Sequence, residues 1–197
     1  MHSQYLGDAI DFWKQGLLSL QRHAAPERRV RMLPMFTDRA WLPAEVDAYA
    51  RMLGGVGDDV LVAEPLTVAG RASYFVDAFP AGEDVFVDPD IGVGRTRVRV
   101  THVQPDELLG LLAADNLVAV YQHRVRDQEP WLPRWIERLW PDQRFHLAGY
   151  DGGQVGMIWL TRAQDRIDVL LTALRVALGN AVVERRMAVV RPRHTSF

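Results

Sequence analysis

The stretch DVFVDPDIGVG, residues 84–94, is where the fold of this chain is decided. Val85, Phe86 and Val87 form a compact apolar run, the pattern of a strand covered on both faces. Asp88-Pro89-Asp90 stops that run at once, and two glycines follow. A carboxylate at the immediate end of a buried strand is costly unless something there uses it. The stretch therefore reads as a strand whose end faces a ligand.

Other apolar runs extend this pattern in both directions. Upstream, RVRMLPMF reads as a strand, with Pro34 suited to an edge or a strand end, and DDVLVAE as a second. Downstream, NLVAVYQH is a buried strand and RTRVRVTHV alternates Arg97, Arg99 and Thr101 against Val98, Val100 and His102 as a half-exposed one. Helical segments separate the runs. YLGDAIDFWKQGLLSLQRH carries Ile10, Trp13, Leu17 and Leu20 at helical spacing behind Asp8 as its cap. PAEVDAYARMLGG opens on a proline and closes on glycines. QPDELLGLLAADN is a short helix, and WLPRWIERLW is one whose tryptophans 131, 135 and 140 pack it onto a sheet or mark a partner surface. RASYFVDAF fits helix or strand.

RFHLAGYDGGQVGMIWLTR is a hairpin turning at Asp151-Gly152-Gly153. Thr161 with Gln164 spells a capping box for the next helix, whose stripe of Ile167, Leu170, Leu171, Leu174 and Leu178 ends at Gly179. The tail adds a last strand. Helices alternating with buried strands give an α/β fold of three layers, with a mostly parallel sheet and a C-terminal antiparallel hairpin, in one domain over residues 1–197.

Composition narrows the function. A net charge of −2 argues against a general polyanion binder, though not against a local basic patch. The absence of cysteine removes disulfides, cysteine-ligated zinc, iron–sulfur clusters and thiol nucleophiles. No basic leader and no membrane-length apolar run occur, so a soluble, cytoplasmic protein with no membrane partner is expected. No phosphate-binding loop or nucleophile elbow occurs, and GGVGDD follows a helix rather than a strand, the wrong setting for a dinucleotide fingerprint. Lys14 is the sole lysine among 23 basic residues.

Ligands of such sheets sit beyond the carboxyl ends of the strands. If the strands ending in Thr37-Asp38, Asp88-Pro89-Asp90 and Tyr121-Gln122-His123 are parallel neighbours, then Asp38, Asp88, Asp90 and His123 share one rim. The cap of the first helix brings Asp8 and Lys14 to it. Arg95, Arg97 and Arg99 read as a solvated face able to meet phosphates.

In this order of motifs the chain resembles Rossmann-like S-adenosylmethionine-dependent methyltransferases, whose parallel sheet ends in an antiparallel hairpin. Asp88-Pro89 resembles the [DNS]-P-P-[YFW] motif of the amino-methylating nucleic-acid enzymes of that class, and YLGDAIDFWK resembles the Tyr-x-Gly segment with a nearby lysine that opens some of them. The resemblance implies S-adenosylmethionine held by Tyr5, Gly7, Asp8 and Asp38, a nucleic-acid partner, and Asp88 orienting the acceptor amine. Asp90, Lys14 and His123 stand beside it as catalytic candidates. Three departures stand out: MLPMFTDRAW replaces the glycine-rich loop after the first strand, Asp90 replaces the second proline, and Ile91 the stacking aromatic.

Two alternatives use the same residues. Asp8, Asp38, Asp88, Asp90 and His123 are oxygen and imidazole ligands suited to Mg²⁺ or Mn²⁺ in a phosphodiesterase or nuclease, with Lys14 meeting the developing charge. A non-catalytic binding protein on the same scaffold, with the tryptophan-rich segment as its partner surface, is the third reading.

Overall fold

Six of the apolar runs pair into one sheet in a computed structural model of the chain, which describes residues 6–76, 82–95, 97–113, 115–125, 130–142 and 144–192. Helix α1 (Ala9–Ala24) starts behind Asp8, whose Oδ1 accepts from the Ile10 and Asp11 N–H groups at 2.8 and 3.0 Å. Strand β1 (Val30–Pro34) ends on the proline, where a missing N–H costs no ladder bond. Then come α2 (Pro43–Met52), α3 (Arg71–Val76) and β2 (Asp84–Asp88). A two-residue parallel pair, β3 (Gly92–Val93) and β4 (His102–Val103), brackets the next loop. The chain continues through α4 (Pro105–Gly110), β5 (Val118–His123), α5 (Trp131–Leu139), β6 (His146–Asp151) and β7 (Val155–Thr161). It closes with α6 (Gln164–Leu178), α7 (Asn180–Arg186) and β8 (Met187–Val190).

The sheet order is β1-β2-β5-β7-β6-β8. Strands β1, β2 and β5 are parallel neighbours, with Pro34 opposite Asp88 and Val87 opposite Val120. The hairpin then places β7 antiparallel between β5 and β6, and β8 antiparallel outside β6. Four of the six strands thus point the same way, but parallel pairing is confined to β1, β2 and β5.

Both faces are apolar because each strand splits its side chains between two cores. Phe86, Ala119, Met157 and Trp159 pack with Leu17, Leu18, Tyr49, Leu170 and Leu174 from α1, α2 and α6. Val85, Val87, Val118, Val120, Ile158 and Leu160 pack with Tyr74, Leu108, Trp131, Leu132 and Ile136 from α3, α4 and α5. Trp131 and Trp140 are buried there, as their spacing predicts. The architecture is three-layer α/β.

Three expectations give way. DDVLVAE is not a strand: Gly57–Asp59 form a 3-10 turn, and only Val60 bridges β1, at Met32. Asp59 Oδ2 accepts from Val56 N at 2.8 Å, a local bond that competes with a ladder. Among the described residues of RTRVRVTHV only His102 and Val103 pair, and Arg71 takes the carbonyls of Arg99 and His102. The Thr161–Gln164 capping box does not form either. Thr161 ends β7, its Oγ1 accepts from Ala163 N at 3.1 Å, and α6 begins without a side-chain cap. RASYFVDAF resolves as the helix α3 over its first six residues.

Candidate functional site

Parallel pairing brings the carboxyl ends of β1, β2 and β5 to one rim, and the first turns of α1 cross above it. Between them lies a cleft of about 360 Å³ lined by Asp8, Ile10, Asp11, Lys14, residues 88–91, Thr101, Tyr121 and His123. That volume is at the lower end of ordinary ligand pockets, room for one small ligand.

Its floor is a buried ion cluster. Lys14 Nζ lies 2.8 Å from Asp88 Oδ1, 3.0 Å from Asp88 Oδ2 and 3.1 Å from Asp11 Oδ1, and 4.5 Å above the Tyr121 ring. Tyr49 Oη donates to Asp88 Oδ2 at 3.0 Å, and Gly7 N donates to Asp11 Oδ2 at 2.9 Å. Gly7 has φ +87°, a conformation that favours glycine, and this aims its N–H back at α1. Asp88 Oδ1 meets the ammonium without hydrogen-bond alignment and has no other donor among the described residues. It is the one cluster oxygen whose hydrogen-bonding capacity is unspent.

The electrostatics follow from burial and proximity. Burial acts to lower the Lys14 ammonium, but Asp88 and Asp11 together raise it above its ordinary range, so it stays charged. Burial raises the Asp11 carboxyl, against the pull of Lys14. Burial and then the Asp88 charge push the Tyr49 phenol well up, keeping it a donor. His123 is lowered from 6.5 by burial and by Lys14, so its ring is neutral near pH 7. Its Nε2 lies 3.1 Å from Tyr121 Oη, and its backbone N donates to Ile91 O at 2.9 Å.

The loop after β2 is fixed by its own chemistry. Thr37 Oγ1 donates to Asp90 Oδ2 at 2.5 Å, tying the end of β1 to that of β2. Gln122 Oε1 accepts from Val93 N at 2.7 Å and from Trp135 Nε1 at 3.2 Å. Gly92 sits at φ +129°, and a Cβ there would come within 2.6 Å of the Gln122 amide. Only glycine satisfies both constraints.

Of the residues expected on the rim, Asp8, Lys14, Asp88, Asp90 and His123 line the cleft. Asp38 does not: its Oδ1 accepts from Trp41 Nε1 at 3.3 Å, outside the cleft. Gly7 supports the cluster from behind Asp11 rather than lining the space, and Tyr5 lies outside the described residues. Where a glycine-rich loop would follow the first strand, buried Phe36 and Trp41 stack with ring centroids 4.2 Å apart. Among the described residues no three metal-ligating side chains gather closely enough to hold an ion. Asp88 is paired with Lys14.

Sequence reading missed Asp11 and the polar role of Tyr49. The Asp11-to-Lys14 spacing of three on a helix was the available signal for the first. Nothing local marks Tyr49, which sits on the apolar stripe of α2 and reveals its bond only in the fold.

Comparison with known proteins leaves the site to speak for itself. No protein-family model matches the chain, and no curated protein matches it. Among solved structures, protein LPL1258 from Legionella pneumophila, assigned to the family model DUF519, is similar over 96% of this chain and 98% of its own at 8% identity. Its TM-score of 0.31 is too low to carry an argument.

Proposed function

We propose that this protein is a Rossmann-like methyltransferase relative that uses S-adenosylmethionine to methylate an amine of a nucleic acid, with Asp88 as the residue that orients the amine. The observation that carries this reading is the charge of the cleft at the Asp88-Pro89 corner: among the described residues, four carboxylates, Asp8, Asp11, Asp88 and Asp90, against one ammonium. Such a cleft favours a cation and disfavours phosphate. A sequential order in which β7 inserts antiparallel between β5 and β6 is in keeping with it.

When bound, S-adenosylmethionine supplies a methyl group on a positively charged sulfur, which departs as the neutral thioether product. On the chain's side, Asp8 and Ile10 at the mouth of α1 are the residues placed to hold that donor. Asp88 Oδ1 accepts from the amine and turns its lone pair toward the methyl carbon, so most of the rate comes from positioning. Lys14 and Tyr49 hold the Asp88 carboxylate still while it does so. The methylated amine must then lose a proton, and the neutral His123 ring in the same cleft is a base able to take it. A cleft of this size covers one ligand, so the acceptor approaches through the open side, past Ile91, which is 42% exposed.

A second reading is a binding protein that has lost transfer, and the Phe36–Trp41 stack filling the turn after β1 favours it. The two part on one assay: transfer of isotopically labelled methyl from S-adenosylmethionine to mixed cellular RNA and DNA, with wild type and Asp88→Asn. Labelled nucleic acid with the wild type alone supports the enzyme. Donor binding without labelling supports the binding protein.

A further inference from the structure

We infer that Arg95, Arg97 and Arg99 form a phosphate-binding track that grips a single-stranded nucleic acid beside the cleft. The inference rests on the reading above for the purpose of the strand, but not for its binding. All three side chains are exposed, and none of their guanidinium groups makes an ion pair among the described residues. Their backbone, by contrast, is anchored. Buried Arg71 pairs with Glu107 and donates to the carbonyls of Arg99, at 2.9 Å, and His102. His102 N turns back to Arg99 O at 3.1 Å.

The same loop is joined to the cleft. Thr101 lines it, and its carbonyl accepts from Ile91 N at 3.0 Å at the open side. The arginines therefore stand on a braced loop two to six residues from the cleft wall. The acidic cleft repels phosphate, so a strand delivering a base amine to Asp88 needs its backbone held elsewhere. Three unpaired guanidinium groups, each able to form a bidentate contact with phosphate, are suited to that task. Val98, 54% exposed between two of them, adds apolar surface for sugar or base.

The test is salt-dependent binding of a fluorescein-labelled single-stranded 20-nucleotide RNA and of its DNA counterpart, without methyl donor. Each phosphate contact on a single strand contributes about −0.7 to the slope of log K against log salt. The Arg95→Gln/Arg97→Gln/Arg99→Gln variant is expected to flatten the slope by about 2, so its loss of affinity between 50 and 200 mM salt is roughly 20-fold smaller than wild type's. A control removing three exposed arginines elsewhere, Arg51→Gln/Arg138→Gln/Arg175→Gln, keeps the wild-type slope if place rather than net charge matters. Equal slopes for the two triple variants, no binding by the wild type, or equal competition by polyglutamate each overturns the inference. Separate titration with S-adenosylmethionine keeps the readings apart. Strand binding that depends on the arginines without donor binding sinks methyl transfer and leaves the track standing; donor binding with equal slopes does the reverse.

Discussion

Replacing Lys14 by methionine removes the only cation from a buried cluster and leaves two carboxylates facing each other. The Lys14 side chain is 6% exposed and that of Asp88 1%, so solvent screens their interaction little. Breaking a buried pair by deleting one partner costs about 3–5 kcal/mol, because the remaining charge is uncompensated. A domain of this kind has about 5–15 kcal/mol in total, so the variant should be severely weakened but measurable. At about 2–4 °C per kcal/mol for a chain of this size, the midpoint of melting should fall by roughly 6–20 °C. The cost should also depend on pH. Without Lys14, the Asp11 carboxyl, already raised by burial, loses the pull that opposes burial and is raised further in the folded state. Its stability contribution is then present below the unfolded pKa and lost as pH rises through the folded one. Urea unfolding at pH 5.5 and 7.5 should show a larger loss at 7.5. The variant Asp11→Asn/Lys14→Met/Asp88→Asn, with no charge left in that cluster, should recover most of it. A loss under about 1 kcal/mol, or one equal at both pH values, would refute the reasoning.

Further outcomes follow from the same geometry. Tyr49→Phe removes a hydrogen bond to an ionised carboxylate and should cost about 1.5–3 kcal/mol in urea unfolding, without a change in the slope m. Gly92→Ala meets both a positive φ and the Gln122 amide, so a cost of about 1–3 kcal/mol is expected. It should also shift the Trp135 indole N–H resonance, since Trp135 shares Gln122 Oε1. His123 is lowered from 6.5 in the folded state, so its contribution is present above that value and lost as pH falls through the folded pKa. Stability of His123→Gln should therefore decline less than wild type's between pH 7 and pH 5, and equal declines would remove His123 as a half-buried neutral base.

Much of this fold was legible because its sheet is buried on both faces. Runs such as Val85-Phe86-Val87 and Val118-Ala119-Val120 place alternate residues in different cores, and an unbroken apolar run is the only pattern that does so. The hairpin was legible from its glycine turn. The runs that misled are the ones whose backbone groups were claimed from elsewhere: by Asp59 in the case of residues 58–64, and by Arg71 in the case of residues 95–103. Asp59 lies inside its run but bonds back to Val56, and Arg71 stands far in sequence from the run it breaks, so periodicity reveals neither bond.

The site divides the same way. Asp88, Asp90 and His123 were visible because polar residues ending buried strands stand out, and a single lysine in an arginine-rich chain drew attention to Lys14. Asp38 occupied the same kind of strand end yet turned to Trp41, because the chain bends away after Phe36 packs into the core. Sequence position gives the rim, whereas the direction of each side chain is set by packing. Asp11 joins the cluster through Lys14 on its own helix, and Tyr49 completes it from α2 only through the fold.

The central claim is that this acidic corner receives a cationic methyl donor, and the most direct measurement is a thermal-shift titration with S-adenosylmethionine, its demethylated product, Mg²⁺ and Mn²⁺. A ligand of the folded state at a hundred times its Kd stabilises by about 2.7 kcal/mol, or roughly 5–11 °C here. The account predicts a shift with S-adenosylmethionine that exceeds the shift with the uncharged-sulfur product and is diminished in Asp88→Asn. No shift with either nucleoside, or a shift with metal alone that Asp88→Asn abolishes, would contradict it.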